Sequence, residues 1–120
     1  MTEGGEQVVS VGGAGEQIRA AVSTWESVES HPHRFGGIEY RLHKREIGHV
    51  HGDRLVDLPF PKQIRDELLA AGLAEPHHIR PQSGWVSFYI RQPADVERAI
   101  GLLRRSYELA VAHQHEREAP

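Results

Sequence analysis

Apolar residues recur at Ile18, Ala21, Val22, Trp25 and Val28, the spacing of one helical face, and Pro32 limits continuation beyond Ser30. That spacing predicts an amphipathic helix. After Gly36-Gly37 the period changes to two: Ile38, Tyr40 and Leu42 alternate with Glu39, Arg41 and His43, as a half-buried strand requires. Glu46 to His51 and Arg54 to Phe60 read as two further strands flanking Gly52-Asp53, whose glycine suits the first central position of a type II′ hairpin turn. Ile64, Leu68 and Ala71 then mark a helical face, with Pro61 at its start and Gly72 placed to end it in the left-handed conformation. A short extended stretch around Ile79, a turn at Pro81 to Gly84 and the alternating Trp85 to Arg91 predict a second hairpin. Pro93 opens a last helix lined on one side by Val96, Ala99, Ile100, Leu103, Tyr107 and Ala110.

The resulting order, αβββαββα, lacks strict βα alternation and predicts an α+β fold: a mainly antiparallel sheet with helices on one face. Residues 1–15 carry five glycines and only the short cluster Val8, Val9 and Val11, so they are expected to form a flexible arm. Residues 16–112 form the single domain, and the polar residues 113–120 are expected to fray.

Composition narrows the chemistry. A chain of 120 residues supports one core, and the absence of cysteine removes disulfides, thiolate metal sites, iron–sulfur clusters and cysteine nucleophiles. No apolar run approaches the roughly 20 residues of a membrane span, and the first residues lack the pattern of a signal peptide, so the expectation is a cytoplasmic protein with no membrane partner. The net charge of −3 makes nucleic acid an unlikely ligand. No flavin or nucleotide signature and no GxSxG elbow is present, which leaves the cofactor unknown and enzymatic activity open.

Nine histidines are the outstanding anomaly, seven of them between His31 and His78. With Gly52-Asp53 as a two-residue turn, His51 faces Arg54, His49 faces Val56 and Ile47 faces Leu58, which directs His49 and His51 toward the helix-covered side and leaves Glu39, Arg41, His43 and Asp57 on a solvated face. A further two-residue turn at Lys44-Arg45 pairs Tyr40 with His49. Imidazoles on such a face read first as hydrogen-bonded core groups. The rival reading is a site: a His-x-His pair on a strand offers two nitrogen ligands, and one of His77 and His78 a third, since neighbours on an extended chain point oppositely. No metal is assigned on this pattern. His31-Pro32-His33 reads as a connector and the basic tip at Lys44-Arg45 as a solvated turn.

The segments Ile47-Gly48-His49-Val50-His51, Asp57-Leu58-Pro59-Phe60-Pro61, His77-His78 and Pro81 to Ile90 resemble the "luciferase domain" family of small bacterial and fungal proteins. The likeness runs from about Phe35 to Leu109. A more distant resemblance links Trp85 and the ending Ser106-Tyr107-Glu108-Leu109 to the YjbR-like double-wing proteins, which makes nucleic-acid binding a secondary alternative. The expected function is a binding module for a small molecule or a protein partner, with a pocket between sheet and helices lined by His49, His51, Asp57, His78, Ser83 and Trp85. A histidine-dependent enzyme, metal-assisted or not, is the rival expectation.

Overall fold

Alternation of apolar and polar positions in neighbouring segments produces one antiparallel sheet with one face under helices. The computed structural model describes residues 11–118. Along them run α1 (Ala14–Val22), β1 (Val28–Pro32), β2 (Ile38–Leu42), β3 (Arg45–His51), β4 (Leu55–Pro59), α2 (Lys62–Ala70), β5 (Glu75–Pro76), β6 (Trp85–Tyr89) and α3 (Ala94–Glu118). The six strands lie in the order β1-β2-β3-β4-β6-β5, each antiparallel to its neighbours. The αβββαββα order is present, extended by the edge strand β1.

That extra strand comes from the segment expected to continue the first helix. Instead α1 stops at Val22, where Ser23 bonds back to Arg19 and the Thr24 hydroxyl donates to the Ala21 carbonyl. Such hydroxyls compete with helical hydrogen bonding, and Ser27, with φ of 68°, turns the chain into β1. The arm expected over residues 1–15 lies outside the described residues up to position 10, but its last residues are ordered: Ala14 is fully buried, and the Asp53 carboxylate accepts the Gly15 amide at 2.7 Å, capping the start of α1. The tail expected to fray is helical as far as Glu118. The strand expected near Ile79 lies instead at Glu75–Pro76, and Ile79 itself is exposed on a bend.

Two turns differ from expectation and decide which residues share a face. The β2–β3 turn is at His43-Lys44, with Leu42 opposite Arg45, and a bulge after Tyr40 then brings Gly48 opposite Tyr40 and His49 opposite Glu39. Three residues, Gly52 to Arg54, connect β3 to β4, so His51 pairs with Leu55, Val50 with Val56 and His49 with Asp57. A loop one residue longer moves every side chain of the partner strand to the other face. The row Tyr40, Gly48, Val50, Val56, Leu58, Val86 and Phe88 therefore faces the helices. Gly48 lets sheet and helix approach closely: a Cβ there would lie 2.7 Å from the Leu103 Cδ2 of α3 and 3.1 Å from the Asp57 carbonyl. Ile18, Ile47, Leu58, Leu68, Val86, Ile90 and Leu103 complete the core. Among the described residues no helix is long and apolar enough to cross a membrane.

Candidate functional site

The register sends Glu39, His49, His51, Asp57 and Ser87 to the face opposite the helices. The histidines expected between sheet and helices are thus on the open face, with Asp57, expected to be solvated, buried at their centre. Asp57 sits on the central strand β4, flanked across the ladder by His49 on β3 and Ser87 on β6. Its Oδ1 accepts the Ser87 hydroxyl at 2.7 Å, and the His78 amide donates to the same hydroxyl oxygen at 3.3 Å.

The other carboxylate oxygen is crowded. Four Nε2 atoms face Asp57 Oδ2, from His78 at 3.0 Å, His49 and His51 at 3.2 Å and His77 at 3.6 Å. His77 and His78 both arrive because the chain bends at His78 and Ile79, so the alternation of an extended strand does not apply there. An oxygen with two lone pairs cannot accept four hydrogen bonds well, so the donor set exceeds what a carboxylate needs for satisfaction.

Two further carboxylates, Glu46 and Glu39, hold the imidazoles of His49 and His33. His49 Nδ1 lies 2.6 Å from Glu46 Oε2, and His33 Nδ1 lies 3.0 Å from Glu39 Oε1, the same carboxylate that Arg41 engages. The His33 ring stacks on His49 with centroids 3.9 Å apart. His33 follows β1, in the connector that the 3₁₀ turn Arg34–Gly36 completes. None of His33, Glu39, Glu46 and Ser87 was among the site residues expected from the sequence, and His77 was expected only as the alternative to His78 for a third nitrogen ligand. The excess of histidine was the available signal for His33 and His77; nothing local marked Ser87.

Electrostatics follows the geometry. Burial alone raises the Asp57 carboxyl, but hydrogen bonds from His49, Ser87 and His78 and the nearby His77 outweigh it and hold the group well below the usual carboxylate range. Burial disfavours charge on His49, yet hydrogen bonds to Asp57 and Glu46 prevail and push it up to about 9. His51 and His77 are shifted down by burial and by neighbouring imidazoles, so both favour the neutral form that offers a lone pair or a single N–H.

Two groups of three bring possible ligand atoms within 4.8 Å of one another: His51, Asp57 and His78, and His33, His49 and His51. Trp85 closes one side, its ring centroid 5.3 Å from that of His49 and 6.0 Å from that of His77. Ser83 stands apart from this group. Its hydroxyl donates to the Arg80 carbonyl and accepts the Trp85 amide, which makes it a turn residue. Phe35 is 97% and Ile79 72% exposed, each within two residues along the sequence of a cluster histidine.

Comparison with known proteins supplies one match, the Luciferase domain family model over residues 44–106, which spans β3 to the middle of α3 and includes His49, His51, Asp57, His77, His78, Trp85 and Ser87. No curated protein and no solved structure matches. With more than half of its length covered by that family model, the chain belongs to the Luciferase domain family.

Proposed function

We propose that this chain binds a divalent first-row transition metal on the open face of its sheet, through His51 Nε2, His78 Nε2 and an Asp57 oxygen, and uses it to hold a small organic ligand. The observation that carries the reading is the convergence of imidazole nitrogens on one buried carboxylate oxygen, beyond what hydrogen bonding to that oxygen requires. Two histidines and one carboxylate leave coordination positions open, the donor set of non-haem iron sites and close to that of catalytic zinc. Ser87 on Oδ1 orients the carboxylate so that Oδ2 faces the imidazoles, the outer-sphere support that such ligands use. Trp85, packed beside His49 and His77, favours a ligand with an apolar part. Metal-assisted chemistry on that ligand is the enzymatic extension of this reading.

A titration of Co(II) or Zn(II) into the metal-free chain tests it. Saturation at about 100 times Kd adds about 2.7 kcal/mol of stability, so the melting temperature should rise, and His51→Ala or His78→Ala should abolish the rise. His78 is one-third exposed, so its loss should not unfold the domain. An unchanged melting temperature would dismiss the metal.

A metal-free reading has its own observation: His49 lies between Glu46 and Asp57, an imidazole held by two carboxylates. Such a group keeps its proton at neutral pH and would act as a general acid toward a ligand. Ligand binding without metal, lost in His49→Ala, would favour it.

A further inference from the structure

We infer that His77 is not a ligand of the metal but the hydrogen-bond donor to whatever exogenous ligand occupies the open position beside it, an anion or a neutral oxygen donor. This rests on the metal-centre reading above and adds the residue that would recognise the bound molecule.

The argument starts from the backbone. The chain bends after β5, and the amides of Ile79 and Arg80 both donate to His77 Nδ1, at 3.2 and 3.0 Å. A nitrogen that accepts hydrogen bonds carries no proton, and a neutral imidazole has one proton between its two nitrogens. The hydrogen-bond network therefore assigns the proton to Nε2. That nitrogen then has no lone pair for a metal, whereas coordination needs one. To become a ligand, His77 would have to surrender both bonds that hold the bend.

The Nε2–H is directed into the cluster and finds no partner among the described residues. The Asp57 oxygen it faces is 3.6 Å away, too far for a hydrogen bond. The side chain is only 11% exposed, and the rings of His78 at 4.6 Å and Trp85 at 6.0 Å between centroids hold it in place. Elsewhere in the cluster the arrangement is reversed: His33 and His49 place Nδ1 on a carboxylate, with Nε2 toward the centre in His49. His77 is thus the imidazole whose network supplies an unused donor at the site. A polar N–H on a mostly buried side chain, beside a centre with open coordination sites, suits a molecule that brings an acceptor atom there.

The experiment uses the full chain, first metal-free and then loaded with Co(II), with azide as the exogenous ligand. Nitrogen-15 NMR of the metal-free protein should show His77 as the Nε2–H tautomer; an Nδ1–H tautomer would overturn the inference before any metal is added. In Co(II) titrations His77→Ala should bind the ion within about threefold of wild type, while His78→Ala loses it. Azide affinity of the Co(II) form should fall about tenfold in His77→Ala and recover in part in His77→Gln, which can accept from the backbone and donate to the ligand. If His77→Ala loses Co(II) as His78→Ala does, His77 is a ligand and the inference fails while the metal centre stands. Unchanged azide affinity also overturns it. Should the wild-type chain take up no Co(II), the metal centre falls and the role of His77 falls with it. Circular dichroism of each variant separates these outcomes from misfolding, and the NMR tautomer decides the donor assignment even where a variant does not fold.

Discussion

His78 Nε2 lies 3.0 Å from Asp57 Oδ2 across 21 residues of chain, so the bend after β5 and the central strand β4 meet at a single buried oxygen. That contact joins a one-third-exposed imidazole to a carboxylate that is 1% exposed, and it places the site at the solvent boundary of an otherwise closed group.

Asp57 should matter for folding as well as for binding. Replacing it with Ala leaves His49, an imidazolium at neutral pH, with Glu46 as its remaining carboxylate and takes away the shared acceptor of the other imidazoles and of Ser87, a loss on the order of 2–3 kcal/mol. Urea unfolding of Asp57→Ala at pH 7 measures this; a loss below about 1 kcal/mol would mean the carboxylate is not ionised and paired in the fold.

The two serines should separate cleanly. Ser87→Ala removes the buried donor to Asp57 Oδ1 and should cost about 1–3 kcal/mol, with weakened metal binding. Ser83→Ala touches only a turn and should cost less than about 1 kcal/mol, leaving metal affinity unchanged. The same pair of measurements, denaturation and Co(II) titration, reads both; an effect of Ser83→Ala on affinity would return that residue to the site.

Gly48→Ala should destabilise by about 1–3 kcal/mol through overpacking, because the added methyl group would meet Leu103 Cδ2 at 2.7 Å and the Asp57 carbonyl at 3.1 Å. Thermal unfolding of the variant checks it. Combining it with Leu103→Ala should recover part of the loss relative to Leu103→Ala alone, since the leucine terminus is the closer obstacle.

The stability of the metal-free protein should peak near pH 6.5. His49, raised to about 9 in the fold from 6.5, contributes stability that is complete below 6.5 and is lost as pH climbs through 9. His51 and His77 are shifted the other way, so the unfolded chain takes up protons that the fold refuses, and stability falls as pH drops below 6.5. The lowered Asp57 adds a further loss in stronger acid. Unfolding free energies at pH 5, 6.5, 8 and 9.5 trace the curve, and His49→Gln should flatten its alkaline side. A wild-type curve that is level from pH 6.5 to 9.5 contradicts the charge assigned to His49.

The sequence by itself determined the elements whose cause is local. The period-two alternation from Ile38 to Leu42, the helical spacing of Ile64, Leu68 and Ala71 with Gly72 at φ of 72°, and the apolar stripe of α3 all read correctly because neighbours along the chain set them. It also marked His49, His51, His78, Asp57 and Trp85, through an excess of histidine and the stretches shared with the family. Which face they occupy was decided by tertiary structure. Whether the loop after His51 has two residues or three changes the partner of His49 from Val56 to Asp57, and with it the solvent exposure of every group in the cluster. Propensity barely distinguishes those two loops; burying Val50, Val56 and Val86 in the core does. The convergence of His33, and of His77 together with His78, was beyond reach for a related reason. Their places depend on a connector and a bend whose partners lie in distant segments, and no periodicity along the chain encodes a contact of that range.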